Sequence, residues 1–458
     1  MDKKIVVLGA GISGLTISYL LSKKGFDVTV LEKKDDAGGS IETFFEDGFL
    51  FDRGPNSGLE THPLIKQMAD ELGLTDEMVY AGREAVKRYI LRDNKLHPLP
   101  MNPFSLYKTK LFSSKAKLRL LCEPLIGKSQ EGYYQSVGQF VQRRLGKEFL
   151  DYAIDPFVAG VYAGNPEELS VKSAFPKLYE LEEKYGGLII GTIKSIKERK
   201  NRAEKSKQSA RMFSFKSGMQ IFPKTIAAHL GEKVLFAAEV TSIENTEPGY
   251  RIKYIHNNDR NSIDCDIVIS ALPAYAAADL VKDLDIKTAE HLLNIFYPPV
   301  LVLYLGYEKS AVGRALDGFG FLIPSKEKKS FLGAIWSSVI FPNRCPDDKT
   351  AFTLFIGGSR NPAISASDRN DTINKTLKEF GEIMKINGEP VFQSSKFWSK
   401  AIPQYNIGYI EHEKAFEEFE KNFPGIFLAG NYRGGISLGD CIKTSNDLVN
   451  KISEQLKS

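Results

Sequence analysis

The chain has 458 residues, 42% of them hydrophobic, and a formal net charge of +4 at pH 7. A chain of this length can bury a sizeable core and is expected to form two or three domains. So small a net charge argues against nucleic-acid binding. No apolar run reaches the roughly 18 residues that a membrane span needs. The four cysteines and six histidines are scattered, so neither a metal site nor a disulfide scaffold is predicted.

The beginning of the chain has the glycine spacing of a dinucleotide-binding fold. A buried-strand pattern at 4–8 precedes Gly9, Gly11 and Gly14. Gly9 permits the tight turn from strand to helix, Gly11 lets the backbone approach a pyrophosphate, and Gly14 lets the helix pack closely on the strand. The helix, about Ile12 to Lys24, would direct its unpaired amides at that diphosphate. Because the first strand begins so early, no signal peptide is expected, and the protein is predicted to be cytoplasmic.

The next segments indicate FAD, a longer dinucleotide. A second strand at 27–31 leads to Glu32, whose carboxylate suits a ribose hydroxyl. The glycine pair Gly38 and Gly39 offers amides to the far side of the dinucleotide. The turn-rich stretch from Phe51 to Ser57 suits the edge of an isoalloxazine ring, although on its own it is simply a turn.

The rest of the chain alternates between two kinds of pattern. Residues 105–155 are predicted to be largely helical, and Lys194 to Ser209 is predicted to be an exposed helix end or loop, the strongest candidate for disorder. Asp264 to Pro273 contains a buried parallel-type strand of the nucleotide domain. From about Leu292, long strands predict a sheet with one face available to a ligand. Residues 425–439 return a strand and a second helix N-terminus to the cofactor.

The fold class predicted is α/β, α+β overall, with domains that are discontinuous in sequence. The FAD-binding domain is Rossmann-like and covers residues 1–81, 213–274 and 401–458. A mixed-sheet substrate domain covers 82–94 and 275–400, and a mainly helical, membrane-associating insertion covers 95–212.

The motifs resemble those of the flavin-dependent protoporphyrinogen oxidases, within the amine-oxidase and phytoene-desaturase superfamily. The resemblance extends over nearly the whole chain. It is carried by the N-terminal fingerprint and by segments 87–90, 99–103, 155–160, 318–325, 355–360, 398–405, 429–431 and 434–435. One departure is that 160–164 follows the chloroplast and bacterial pattern rather than the glycine pair of the mitochondrial enzymes.

The resemblance implies which residues surround FAD and the substrate. For FAD these are Gly9, Gly11, Ser13, Gly14, Glu32, Lys33, Gly39, Ser40, Gly54, Pro55, Asn56, Ser57, Val240, Ile436, Ser437 and Leu438. For the substrate they are Arg88, which would pair with a propionate, Gly160, and the apolar residues Phe319, Leu322, Ile335 and Phe355. Read without the resemblance, Arg88 is a solvated strand-edge charge, and the apolar residues are ordinary core.

The activity implied is the oxygen-dependent oxidation of protoporphyrinogen IX to protoporphyrin IX in haem synthesis. Hydride would pass from a meso carbon to FAD, and O2 would reoxidise the flavin and give H2O2. No general base is evident. Asn56 is the candidate catalytic residue, with a structural turn role as the alternative. Oxidation of coproporphyrinogen III is the nearest rival, amine oxidase and carotenoid desaturase activities are more distant ones, and a non-enzymatic protein like the Rab GDP-dissociation inhibitors is the alternative of another class.

The partners implied include a membrane surface. Residues 85–128 hold ten Lys or Arg against two acids, and 192–216 hold nine against two. This basic and apolar mixture is typical of peripheral attachment to an anionic leaflet, here the inner face of the cell membrane, although solvated helix faces have similar composition. The sequence leaves open whether the protein forms a homodimer and whether it hands its product to ferrochelatase.

Overall fold

A computed structural model describes residues 3–199 and 210–456. The strands are β1 Lys4–Leu8, β2 Asp27–Leu31, β3 Thr43–Glu46, β4 Phe49–Asp52, β5 Gly58–Leu59, β6 Met78–Tyr80, β7 Arg88–Arg92, β8 Lys95–Pro98, β9 Met212–Phe215, β10 Val234–Leu235, β11 Ala238–Asn245, β12 Tyr250–His256, β13 Asp259–Cys265, β14 Ile267–Ser270, β15 Val300–Glu308, β16 Gly320–Leu322, β17 Phe331–Ile335, β18 Lys349–Gly357, β19 Phe392–Trp398 and β20 Ile426–Leu428.

The helices alternate with these strands and are concentrated between β8 and β9. They are α1 Ile12–Lys23, α2 Pro63–Glu71, α3 Pro103–Lys108, α4 Ser114–Leu121, α5 Val137–Arg144, α6 Lys147–Phe149, α7 Asp155–Tyr162, α8 Val171–Ala174, α9 Pro176–Tyr185, α10 Leu188–Arg199, α11 Ile221–Leu230, α12 Ala274–Val281, α13 Ile286–Leu293, α14 Ser337–Ile340, α15 Arg369–Met384, α16 Tyr409–Asn422 and α17 Leu438–Gln455.

The nucleotide domain is built on a five-stranded parallel sheet in the order β10-β2-β1-β14-β20. The apolar run of β1 is buried on both faces, as expected for a central parallel strand. The buried strand predicted within 264–273 is confirmed as β14, which pairs with β1 from Ile5↔Ile267 to Leu8↔Ser270. Helices α1 and α17 pack against each other. The beginning and the end of the chain therefore meet beside the same sheet.

The second large sheet has seven strands in the order β19-β15-β18-β17-β16-β7-β8. Its pairs are antiparallel except β16 with β7, so the sheet is mixed, as predicted. Helix α15 covers one face through residues such as Phe380, which is fully buried. Strand β8 pairs with β7 along 95–98, so this sheet continues past residue 94, where the predicted substrate segment ends.

The region between β8 and β9 is helical but consists of short helices rather than long ones. Breaks coincide with N-caps and turn residues, among them Asn102 before α3, Ser113 before α4 and Ser136 before α5. The predicted helical stretch 105–155 is thus divided, and it ends in a π-helical segment, Leu150–Ile154. Of the stretch 194–209, residues up to Arg199 belong to α10, and 200–209 lie outside the described residues.

A buried ion network holds this helical region together. Arg144 is fully buried and lies 2.9 Å from Glu123, and it also contacts Glu182. Glu123 in turn accepts hydrogen bonds from the amides of Leu188 and Ile189 at the start of α10. Among the residues with described positions, no helix combines the length and apolar character needed to cross a bilayer.

Candidate flavin and substrate site

The turn between β1 and α1 has the geometry of a pyrophosphate cradle. Gly9 has a φ of 100°, a conformation that glycine adopts without strain. A Cβ placed on Gly14 would lie 2.0 Å from the carbonyl oxygen of Gly9, so only glycine allows this helix to approach the strand. Around Gly11, by contrast, a Cβ would meet no atom of the described residues within 4 Å. The first amides of α1, from Ile12 and Ser13, follow this glycine at the positive end of the helix, where no side chain caps them.

Glu32 is held at the end of β2 and faces this turn. Its carboxylate accepts hydrogen bonds from the amides of Ala10, at 2.7 Å, and Lys34, at 2.9 Å. Strand β11, which contains Val240, begins beside Glu32, because the Ala238 amide donates to the Glu32 carbonyl at 2.8 Å. Lys33 points outward, where its ammonium lies 2.7 Å from Glu239.

The second glycine pair closes the cradle from the other side. A Cβ on Gly39 would lie 3.2 Å from the Cα of Gly11, and one on Gly54 would lie 1.9 Å from the carbonyl oxygen of Ser40. The segments around 11, 39 and 54 are therefore in backbone contact. This contact connects the cradle to the turn at 53–57.

The turn at 53–57 carries Asn56 in a partly buried position. Its amide nitrogen donates to the carbonyls of Asp52, at 3.2 Å, and Gly54, at 3.4 Å. Its oxygen Oδ1 is buried without a partner among the described residues. Pro55 and Ser57 flank it in the same turn. An unpartnered buried oxygen is a hydrogen-bond acceptor available to a ligand.

The start of α17 completes the nucleotide side. Ser437 is its N-cap and exchanges hydrogen bonds with Asp440, so the first turn of the helix is fixed. Ser445, one further turn along, donates to the Ser13 carbonyl at 3.2 Å and ties α17 to α1. Ile436 and Leu438 on either side of the cap are partly buried and buried, respectively.

Four predicted substrate residues share one face of the mixed sheet. Paired residues on neighbouring strands point to the same side, and the register gives two rows. One row runs from Leu322 through Gly333 to Phe355, and the other from Arg88 through Gly320 to Ile335. The four side chains are partly exposed, whereas the alternating residues on the opposite face are buried, for example Tyr89, Phe321, Ala334 and Leu354.

The other two predicted substrate residues border this face. A Cβ on Gly160, in α7, would lie 2.6 Å from Cδ2 of Leu322, so this helix lies directly against the sheet face. The Arg88 guanidinium lies 5.4 Å from the ring centroid of Phe319. No ion pair to Arg88 is found among the described residues, and burial lowers its pKa. Arg88 is therefore a partly buried cation without an anionic partner within the described structure.

One cleft joins the two sides of the site. It is lined by Asn56 and Ser57 from the predicted cofactor turn and by Phe319 and Ile335 from the predicted substrate set. Sequence reasoning missed Arg344, which lines the same cleft and is 4% exposed. Arg344 follows a loop with no motif of its own, so only the fold brings it here.

The Arg344 guanidinium supports the floor of the cleft. It donates to the Ser214 hydroxyl at 2.6 Å and lies 3.8 Å from Asp52. Burial raises the pKa of Asp52, and the Tyr304 hydroxyl donates to the Asp52 carbonyl at 2.6 Å. These contacts connect β4, which leads into the Asn56 turn, to the substrate sheet.

Four features together define a class of protein. They are the cradle, the carboxylate of Glu32, the second helix N-terminus and the apolar cleft. The residues fit a flavin dinucleotide, because side chains are absent where the pyrophosphate would approach and amides are present. The chain has the fold of a flavin-dependent oxidoreductase in which a Rossmann-like domain borders a mixed-sheet substrate domain.

Comparison with known proteins identifies the family. Residues 12–446 match the flavin-containing amine oxidoreductases. The chain belongs to this family, and its cofactor is FAD.

Relatives match over the full length of the chain. It is 34% identical to protoporphyrinogen oxidase 2, chloroplastic/mitochondrial, of Arabidopsis thaliana, over 100% of this chain and 95% of the relative. It is 28% identical to coproporphyrinogen III oxidase of Bacillus subtilis (strain 168), over 96% of each chain. Among solved structures, reduced UDP-galactopyranose mutase has the same fold, with a TM-score of 0.77 at 15% identity over 100% of this chain and 95% of that one.

Proposed function

We propose that the protein oxidises a porphyrinogen, with protoporphyrinogen IX as the substrate, to the corresponding porphyrin. The observation that carries this proposal is Arg88, a cation without an anionic partner in the described structure, at the edge of a partly exposed apolar sheet face that meets the Asn56 turn. A flat, apolar macrocycle with a peripheral carboxylate is complementary to that arrangement. The full-length relatives include enzymes named for this reaction.

FAD, when bound, supplies a two-electron acceptor for a carbon–hydrogen bond of the substrate. Gly11, the α1 amides and Glu32 are proposed to hold its diphosphate and ribose, and the start of α17 to face the ring system. The remaining cofactor positions predicted from the sequence, from Ser40 to Val240, are proposed to line the same groove.

The protein's own contribution is to orient the macrocycle and exclude water. Leu322, Ile335 and Phe355 are proposed to contact one face of the ring, and Arg88 a propionate. Gly160 leaves room at the rim where a side chain would clash. Holding reactants in register supplies much of the rate enhancement in such reactions. Oδ1 of Asn56 is proposed to accept a hydrogen bond from a pyrrole N–H.

Substrate choice follows from the number of cations. Coproporphyrinogen III has four propionates and would need further cationic partners, whereas Arg88 is a cation on this sheet face with no ion pair among the described residues. This favours protoporphyrinogen IX, which has two propionates. The test is steady-state turnover of each porphyrinogen, followed by porphyrin fluorescence, oxygen uptake and peroxide formation.

A higher kcat/KM for protoporphyrinogen IX is expected, with three oxygen molecules consumed per porphyrin formed. A higher kcat/KM for coproporphyrinogen III would show that this porphyrinogen is the substrate and would leave the class of reaction unchanged. Turnover of neither, with protein that contains flavin, would contradict the proposal.

Peripheral membrane attachment is proposed for helices α3 and α4. Phe104, Tyr107, Leu118 and Leu121 are 64% to 79% exposed there, beside lysines such as Lys108, whose ammonium lies 4.2 Å from the Phe104 ring centroid. Apolar side chains flanked by cations suit an anionic bilayer surface. Co-sedimentation with phosphatidylglycerol vesicles that weakens with salt is expected, and equal recovery with and without vesicles would contradict this attachment.

A further inference from the structure

A buried ion pair between Asp155 and Arg360 fastens three segments that carry proposed substrate residues. Asp155 begins α7 and Arg360 follows β18. Nη2 of Arg360 lies 2.9 Å from Oδ2 of Asp155, and the two side chains are only 16% and 9% exposed. An unpaired charge in a buried position is costly. Both side chains are therefore expected to stay charged and in contact in the folded protein.

The Arg360 guanidinium also contacts two backbone carbonyls. Nη1 donates to the carbonyl of Ile323 at 2.6 Å, and Nη2 donates to the carbonyl of Asp155 at 2.9 Å. The Asp155 carboxylate accepts a further hydrogen bond from the Ser325 amide at 2.8 Å. Ile323 is the neighbour of Leu322, so the end of β16, the start of α7 and the segment after β18 meet at one side chain.

The far end of α7 is joined to the same segment. The Ser359 amide donates to the Ala163 carbonyl at 2.7 Å, and a Cβ on Gly358 would lie 2.5 Å from that oxygen. Gly160 lies between these two attachments. Since a Cβ on Gly160 would lie 2.6 Å from Leu322, a small displacement of α7 would change the spacing between this helix and the sheet face with the proposed substrate residues, a space here termed the substrate cleft.

The inner side of α7 is packed in the core, since Val158 and Tyr162 are buried and the Tyr162 hydroxyl donates to the Ala174 carbonyl at 3.0 Å. The segment before it, Leu150–Ile154, is π-helical, an arrangement that is rare and found frequently at functional sites. Phe157 and Val161 on α7 are 44% and 40% exposed. The outer side of the helix is therefore less tightly packed than its inner side, with the Phe157 ring 6.0 Å from the ring of Phe175.

We propose that Asp155 and Arg360 are positioning residues that set the width of the substrate cleft by holding α7 and Gly160 against Leu322. This inference rests on the proposed function for the identity of the substrate. The pair acts on binding through backbone position and does not itself need to touch the substrate.

The test uses Asp155→Asn, Arg360→Gln and the double variant in the flavin-loaded protein. Anaerobic reduction by protoporphyrinogen IX gives an apparent Kd and a limiting rate. Each single variant is expected to raise the Kd about tenfold and to change the limiting rate by less than threefold. The Kd of the double variant is expected to equal that of the single variant that binds the substrate more weakly, because the effects of two substitutions in one interacting pair do not add. Arg360→Lys keeps the positive charge but loses the second nitrogen, so its Kd is expected to lie between those of the wild type and Arg360→Gln.

A matched control separates positioning from loss of stability. Glu123→Gln also removes a buried carboxylate beside an arginine, but Arg144 keeps its contact with Glu182. This control is expected to lower the melting temperature and leave the Kd within twofold of wild type. Amide hydrogen exchange over 155–163 is expected to rise in Asp155→Asn and Arg360→Gln and to stay unchanged in Glu123→Gln.

Unchanged exchange over 155–163, or faster exchange with an unchanged Kd, would overturn the positioning role, and so would additive effects in the double variant. Wild-type protein that porphyrinogens do not reduce would instead overturn the proposed function. The exchange measurement would still test the attachment of α7 in that case.

Discussion

At the scale of single residues, Arg88 is the side chain that most favours a substrate with a carboxylate. The preceding residue, Lys87, has different surroundings. Lys87 is exposed, and its ammonium lies 2.7 Å from Asp317. Arg88, by contrast, is partly buried beside Phe319. Two adjacent cations thus have different surroundings, and Arg88 is the one that lies beside Phe319, a residue of the cleft lining.

Arg88→Ala is expected to weaken porphyrinogen binding because a charge-assisted, bidentate contact to a carboxylate is lost. The loss is expected to be about 1 to 3 kcal/mol, which raises KM by roughly 5- to 150-fold. Steady-state kinetics measure it, with Lys87→Ala as the matched control. Equal KM values in the two variants would remove Arg88 from the site.

The glycines of the first turn make a second prediction about single residues. Gly11→Ala is expected to fold with an unchanged melting temperature without flavin, since its Cβ meets open space, but to bind FAD weakly because that space belongs to the diphosphate. Gly14→Ala is expected to lower both the melting temperature and the affinity for FAD, since its Cβ would lie 2.0 Å from the carbonyl oxygen of Gly9. Thermal melts and flavin titrations measure the two effects. Full FAD affinity in Gly11→Ala would contradict the cradle.

At the scale of elements, the predictions depended on whether a pattern was local. The β1–α1 turn and strand β14 follow from short apolar runs and glycines, and both were predicted. The stretch 105–155 was predicted to be more continuously helical than it is, because apolar spacing does not reveal the caps at Ser113 and Ser136. The pairing of β8 with β7 was missed although it is local: Arg92 and Lys95 close a two-residue hairpin turn in which Asp93 and Asn94 have φ of 52° and 57°, a conformation that Asp and Asn tolerate.

The contact between α13 and α16 predicts a pH dependence. Nδ1 of His291 lies 2.9 Å from Nδ1 of His412. Burial, and then His291, lower the pKa of His412 to about 4, whereas the unfolded chain protonates such a ring near pH 6.5. The unfolded state therefore binds the proton more readily in this interval. Stability is full above about pH 6.5 and falls as the pH drops toward about 4.

His412→Gln is expected to show a smaller fall in melting temperature between pH 7 and 4.5 than the wild type, because the titrating ring is removed. His256→Gln, on β12 and outside this contact, serves as the control and is expected to match the wild type. Identical falls in all three proteins would show that the histidine contact contributes nothing to acid sensitivity.

At the scale of the whole molecule, the cleft is formed where β4 and the Asn56 turn meet the seven-stranded sheet. β4 and the Asn56 turn come from the N-terminal part of the chain, and the sheet strands that line the cleft, among them β15 and β18, come from its second half. Sequence motifs supplied the proposed site residues on each side, from Gly9 to Leu438. They did not predict Arg344, Asp52 or the Asp155–Arg360 pair, whose partners are distant in sequence and carry no spacing signal.

The central claim is that a flavin held by the N-terminal fold faces a cleft that accepts a tetrapyrrole. Rapid anaerobic mixing of the flavin-loaded protein with protoporphyrinogen IX tests it most directly, with a primary amine as the comparison donor. The account predicts rapid bleaching of the oxidised flavin absorbance by the porphyrinogen and little by the amine. Bleaching by the amine alone, or by neither donor, would contradict it.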